Sequence, residues 1–238
     1  MPAEFSSADA WHPSTAPSDR NLFQTGRCQE LSSRLAGELA LAESTGDRQG
    51  FIAAANDLAC AHRAAGDQEP AAYFQLLAAT AERQPSDGQA GRISPTSLGN
   101  LACDAVLAGN LALAEGLLWK SLLAELAAGN TAGAAADWAN LGLIAGLLGE
   151  LDEAKERLWW ALKLHRQQGD HFHLALDLWH LGQVLEIEGD WSGSSKLFRR
   201  AAKLFAEIGH SQLQQSAASR ERVNEARAAV LMFDVRLN

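Results

Sequence analysis

Four carboxylates crowd seven residues at Glu150, Asp152, Glu153 and Glu156, and four histidines follow at His165, His171, His173 and His180. Paired carboxylates in a cleft can work as general acid and base. Neutral imidazoles at close range can hold zinc. Three cysteines, Cys28, Cys60 and Cys103, add candidate thiolates. Each set misses something its chemistry needs. The carboxylates sit at the start of a helical pattern, where acidic side chains cap free amides and complement the helix dipole. His171 and His173 are two residues apart, so they leave a helix on different sides, and no HExxH or Cys-His pair supports them. His62 is two residues from Cys60, on another face, and is badly placed to activate that thiol. The cysteines are odd in number and lack a CxxC pair, as expected of free thiols in a reducing compartment. No P-loop, G-x-G-x-x-G or G-x-S-x-G occurs either. The expectation is a protein that is not an enzyme, with no cofactor and no metal. A metal- or thiol-dependent enzyme at the His165–His180 cluster or at Cys60 is the alternative of a different class.

The elements that carry these residues are read from composition and register. Ala and Leu dominate 238 residues that are 47% hydrophobic with six prolines, a mixture that favours helix. The formal net charge of −9 and the lack of a basic block argue against nucleic acid as a partner. No apolar run is long enough to span a membrane. Residues 1–20 have neither the basic start nor the apolar stretch of a signal peptide, so a disordered Ser/Pro/Ala-rich tail and a cytoplasmic location are expected.

The chain repeats itself. Asn100-Leu101-Ala102, Asn140-Leu141-Gly142 and His180-Leu181-Gly182 stand forty residues apart, and so do Gly109-Asn110, Gly149-Glu150 and Gly189-Asp190. A second series, Gly129-Asn130, Gly169-Asp170 and Gly209-His210, runs in the same register. Leu58-Ala59 and Gly66-Asp67 form an earlier copy at a step of forty-three, which places three extra residues in the loop from Gln84 to Ser94. Two glycine marks per period divide each unit into two helices, because Gly ends one helix and the residue after it caps the next. A helix pair of this kind buries its apolar face only by stacking on its neighbours.

These residues resemble the tetratricopeptide repeat (TPR) family. Trp138-x-x-Leu141-Gly142 with Gly149, Ala154 and Leu158 follows its W-x2-L-G…A-x3-F signature, as do Leu178-x-x-Leu181-Gly182 with Gly189, Ser194 and Phe198. Leu98, Leu101, Ala102, Gly109, Ala114 and Leu118 give a third copy, and Leu58, Ala59, Gly66 and Ala71 a weaker one with Gln75 at the aromatic position. The period is about 40 rather than 34, read as a longer second helix, similar to the arrays of bacterial regulators and kinesin-light-chain-like proteins. The expected fold is all-α, a right-handed superhelical solenoid of antiparallel helix pairs over residues 21–210. A capping helix and an apolar tail, LMFDVRLN, are expected over 211–238.

The resemblance implies a protein- or peptide-binding scaffold or adaptor whose first helices line a concave groove. Mapped by register, the groove residues are Asp57, Arg63, Asn100, Asn140, Leu143, Trp179, His180 and Gln183. The set is mildly polar and apolar, which suits a peptide with apolar anchors. All five lysines fall on second helices, which disfavours a clamp for a carboxylate tail. A homodimer through the apolar C-terminus is the second expectation.

Overall fold

The computed structural model describes Leu22, residues 25–83 and residues 93–237, with side chains as far as Leu231. The expected N-terminal tail (1–20) and most of the Gln84–Ser94 loop lie outside the described residues. The fold is all-α, and no strand occurs among the described residues. Among the described residues ten helices follow one another: α1 (Cys28–Thr45), α2 (Arg48–Ala65), α3 (Gln68–Arg83), α4 (Pro95–Leu107), α5 (Leu111–Ala128), α6 (Thr131–Leu148), α7 (Leu151–Gln168), α8 (His171–Glu188), α9 (Trp191–Glu207) and α10 (Ser211–Leu237). They fall into two compact units that divide between Asp137 and Trp138, within α6.

In the N-terminal unit α1 packs on α2, α2 on α3 and α4 on α5, while α2 and α4 also touch. In the C-terminal unit α7, α8, α9 and α10 each pack on the next. Within each unit, then, the expected hairpins form and stack on their neighbours. The lengthening over a 34-residue repeat is shared between both helices of a pair, not confined to the second. First helix α6 and second helix α7 each have 18 residues, and the glycines fall every twenty positions from Gly109 to Gly209.

Local chemistry sets these boundaries. Gly149 stands at φ +82°, a left-handed conformation that a Cβ makes costly, and its N–H donates to Gly146 O at 3.1 Å. The residue after each glycine opens the next helix. The side chains of Asp47, Asn110, Asn130, Asp170 and Asp190 accept from the N–H three residues on, at 2.8–3.3 Å. Glu150 departs from the expectation, because its side chain makes no cap hydrogen bond. Its side chain is one methylene longer than that of the Asp caps, and Asp152 and Glu153, in the first turn of α7, also complement the dipole.

The signature residues are packing residues. In the C-terminal unit Ala145, Ala154, Leu158 and Val184 form a buried cluster with Leu151 and Leu181 against it. Gly142 faces Leu158 so closely that a Cβ would lie 2.7 Å from its Cγ and 3.1 Å from its backbone nitrogen. Gly182 faces the fully buried ring of Phe198, where a Cβ would lie 3.1–3.2 Å from the ring carbons. Where the N-terminal unit has Ala59 and Ala102 instead, the opposing positions hold Gln75 and Leu118. Beyond Val230, where the capping helix was expected to end, α10 continues as helix to Leu237.

Candidate functional site

The residues expected to line the groove are mostly enclosed. Asp57, Arg63, Asn100, Asn140, Leu143, His180 and Gln183 are all buried, and Trp179 is half-buried. Asp57, Arg63 and Asn100 belong to the N-terminal unit and Asn140, Leu143, Trp179, His180 and Gln183 to the C-terminal unit, and Arg63 and Asn100 bond each other.

In the N-terminal unit three side chains of α2 converge on one residue of α4. Asn100 Nδ2 donates to Asn56 Oδ1 at 2.9 Å, Cys60 Sγ lies 3.5 Å from Asn100 Oδ1, and Arg63 Nη1 donates to that same oxygen at 3.3 Å. Arg63 is fully buried, and its Nη2 reaches Asp104 Oδ1 at 2.9 Å. A buried guanidinium needs such a partner to offset its desolvation. Ser97 extends the network, bonding Asn56 both as donor and as acceptor at 3.3 and 3.2 Å.

The C-terminal unit repeats the arrangement with its charges exchanged. Arg220 of α10 donates to Glu186 of α8 at 2.5 Å, and its guanidinium lies 5.6 Å from the Trp179 ring centroid. Asn224 adds a donor to Glu186 at 2.6 Å and another to Ser194 Oγ at 3.0 Å. Trp179 also meets the Phe198 ring edge-on at 5.2 Å, so it is a packing residue as well as a groove candidate.

The histidines separate into different environments. His165 Nδ1 lies 2.7 Å from the carboxylate of Asp177, with both side chains 1% exposed. Burial pushes the Asp177 carboxyl up, and the neighbouring His165 works against that. His173 turns its Nδ1 to Asp170 at 3.0 Å, burial holds its imidazole below the usual range, and its ring lies 5.2 Å from that of His165. His171 is exposed. Among the described residues no three His, Cys, Asp or Glu side chains are grouped to hold a metal ion. Among the described residues no disulfide joins Cys28, Cys60 or Cys103, and burial raises the Cys103 thiol to about 11, far from a reactive thiolate at neutral pH.

His180 stands apart. It is 1% exposed, neither ring nitrogen has a hydrogen-bond partner among the described residues, and burial holds its pKa down at about 3. Buried polar groups are rarely left in that state.

Sequence reading missed exposed aromatic and apolar side chains in each unit. Trp119 and Trp159 stand at repeat positions that suggest packing, yet Trp159 is 52% exposed, and Trp119 and Trp160 are each 36% exposed. Lys163 Nζ lies over the Trp160 and Trp159 rings at 4.6 and 5.3 Å. On α5 the exposed side also carries Leu113, Leu123 and Leu126, at positions where α7 has Glu153, Lys163 and Arg166. A register comparison of α5 with α7 was the signal available for them.

The architecture defines an all-α helical-repeat protein. Among solved structures, the crystal structure of BtubC (BKLC) from P. vanneervenii matches with a TM-score of 0.52 at 15% identity, over 90% of this chain and 93% of that one. At that identity the likeness shows the fold. No protein-family model matches the chain, and no curated protein does. No described helix is long and apolar enough to cross a membrane.

Proposed function

We propose that this chain is a TPR-like scaffold or adaptor that binds a protein or peptide partner along the faces of its first helices, and that it is not an enzyme. One observation carries the reading. The first helices bear polar side chains at a single repeat position, namely Asn100, Asn140, His180 and, on α10, Arg220. Among the described residues Asn100 and Arg220 find their partners within the stack, whereas neither ring nitrogen of the buried His180 does, and a stack held by apolar burial alone has no use for an unmet polar group. Asn side chains can both donate to and accept from an extended backbone without selecting a sequence. A cytoplasmic location fits cysteines that no disulfide joins among the described residues.

The test is a phage-displayed dodecapeptide library selected on the full chain, followed by titration calorimetry of the best peptide. Asn140→Ala should weaken that peptide by about tenfold, on the order of 1.4 kcal/mol, without lowering helicity. Unchanged affinity would move the binding face elsewhere. A second reading, homodimerisation through α10, is favoured by Val230 and Leu231, which are 61% and 49% exposed on its distal part. Light scattering of the full chain and of a chain ending at Ala229 decides it: an unchanged mass on truncation ends the dimer idea.

A further inference from the structure

His180 lacks a partner for a reason that the repeat register makes plain. In the N-terminal unit Asn100 is met by Asn56, Cys60 and Arg63 of the preceding first helix. In the C-terminal unit Arg220 is met by Trp179 and Glu186 in the same way. Step forward by the repeat, and the positions that should meet His180 hold Ala139, Leu143 and Gly146. The bridging position is Arg63 in one place and Glu186 in another, while at His180 it is Gly146 and supplies no side chain. Ala145 of α6 and Val184 of α8 share one buried cluster with Ala154 and Leu158 of α7, so both helices border the same core beside this position.

Resting on the scaffold reading above, we propose that this α6–α8 face is a binding subsite for an extended peptide. There an amide of the ligand, from its main chain or from an Asn or Gln side chain, pairs with His180 in the place that Gly146 leaves without a side chain. The chemistry selects an amide. A neutral imidazole offers one N–H donor and one acceptor, and an amide offers the complementary two. A carboxylate offers acceptors alone and leaves the acceptor nitrogen of the ring opposed. Since the ring is 1% exposed, the ligand enters only when neighbouring side chains move, and association is slower than the ~10⁵ M⁻¹s⁻¹ of an open surface.

The probe is the tightest dodecapeptide selected on the wild-type chain. Gly146→Gln gives His180 an internal amide, as Arg63 serves Asn100, and should raise the thermal midpoint while weakening the peptide about tenfold or more. His180→Leu should weaken it as much, and His180→Gln, which keeps a donor and an acceptor, should stay within about threefold of wild type. In protein carrying ¹⁵N-labelled histidine, the His180 ring nitrogens should shift on peptide addition. A peptide that binds Gly146→Gln and His180→Leu as well as wild type, with those resonances unmoved, overturns the subsite and leaves the scaffold reading standing. Should Gly146→Gln fail to fold, the Leu and Gln variants of His180 decide alone. If no peptide is selected on the wild-type chain, the scaffold reading falls and the subsite with it.

Discussion

Glu125 and Asp137 in the N-terminal unit occupy the same two repeat positions as His165 and Asp177, forty residues on, in the C-terminal unit. In the first place an acid faces an acid. Asp137 is 5% exposed, and its carboxyl is pushed up to about 7. Burial is the main cause and the Glu125 charge adds to it, while a hydrogen bond with Ser121 pulls the other way. Asp137 Oδ2 has no partner among the described residues. In the second place an acid faces an imidazole at 2.7 Å. The repeat conserves where a side chain points but leaves open what it meets there. One hairpin is therefore held by a buried pair, and its counterpart contains a buried carboxyl that is better off protonated.

The largest effect should come from making the second hairpin resemble the first. His165→Glu sets two buried acids against each other and should cost about 3–5 kcal/mol at pH 8, by urea unfolding, with part of the loss recovered at pH 5. Equal losses at both pH values would show that the pair is not electrostatic. Next comes Asp137→Asn. The folded carboxyl titrates at about 7, above its unfolded value of 3.8. The folded state therefore binds the proton more tightly, and the contribution of this group is complete below the unfolded value and lost as pH rises through about 7. Removing the charge should stabilise the chain by about 1–2 kcal/mol at pH 8 and flatten its stability between pH 5 and pH 8. An undiminished slope would place the titration on another group. The smallest effect concerns the turns. Glu150→Asp should add about 0.5 kcal/mol by supplying the missing cap, and Asp190→Ala should remove about 1 kcal/mol. Thermal midpoints unchanged in both variants would fault the cap assignment.

The glycine punctuation made the helices legible, because a left-handed Gly followed by a capping residue marks an end that periodicity alone blurs. Burial was less legible. Register placed Arg63 and Asp57 on first-helix faces but could not show that Arg63 is enclosed against Asn100 and Asp104. The exposure of Trp159 is not legible either, because a large apolar ring at a repeat position suggests packing, whereas burial depends on what lies opposite. Glu150 was read by its charge, yet its side chain makes no cap hydrogen bond. Gly146 stands in the sequence at the repeat position that Arg63 and Glu186 hold elsewhere, but the meaning of that glycine became visible only once those two were seen to be bridges.

Two surfaces now compete for a partner: the polar first-helix faces and the exposed apolar side of α5. Hydrogen exchange of the full chain with and without the best-selected peptide separates them most directly. The account predicts new protection in first helices, strongest in α6 and α8 around Asn140 and His180. Protection confined to α5 and α7, around Leu123 and Trp159, would contradict it.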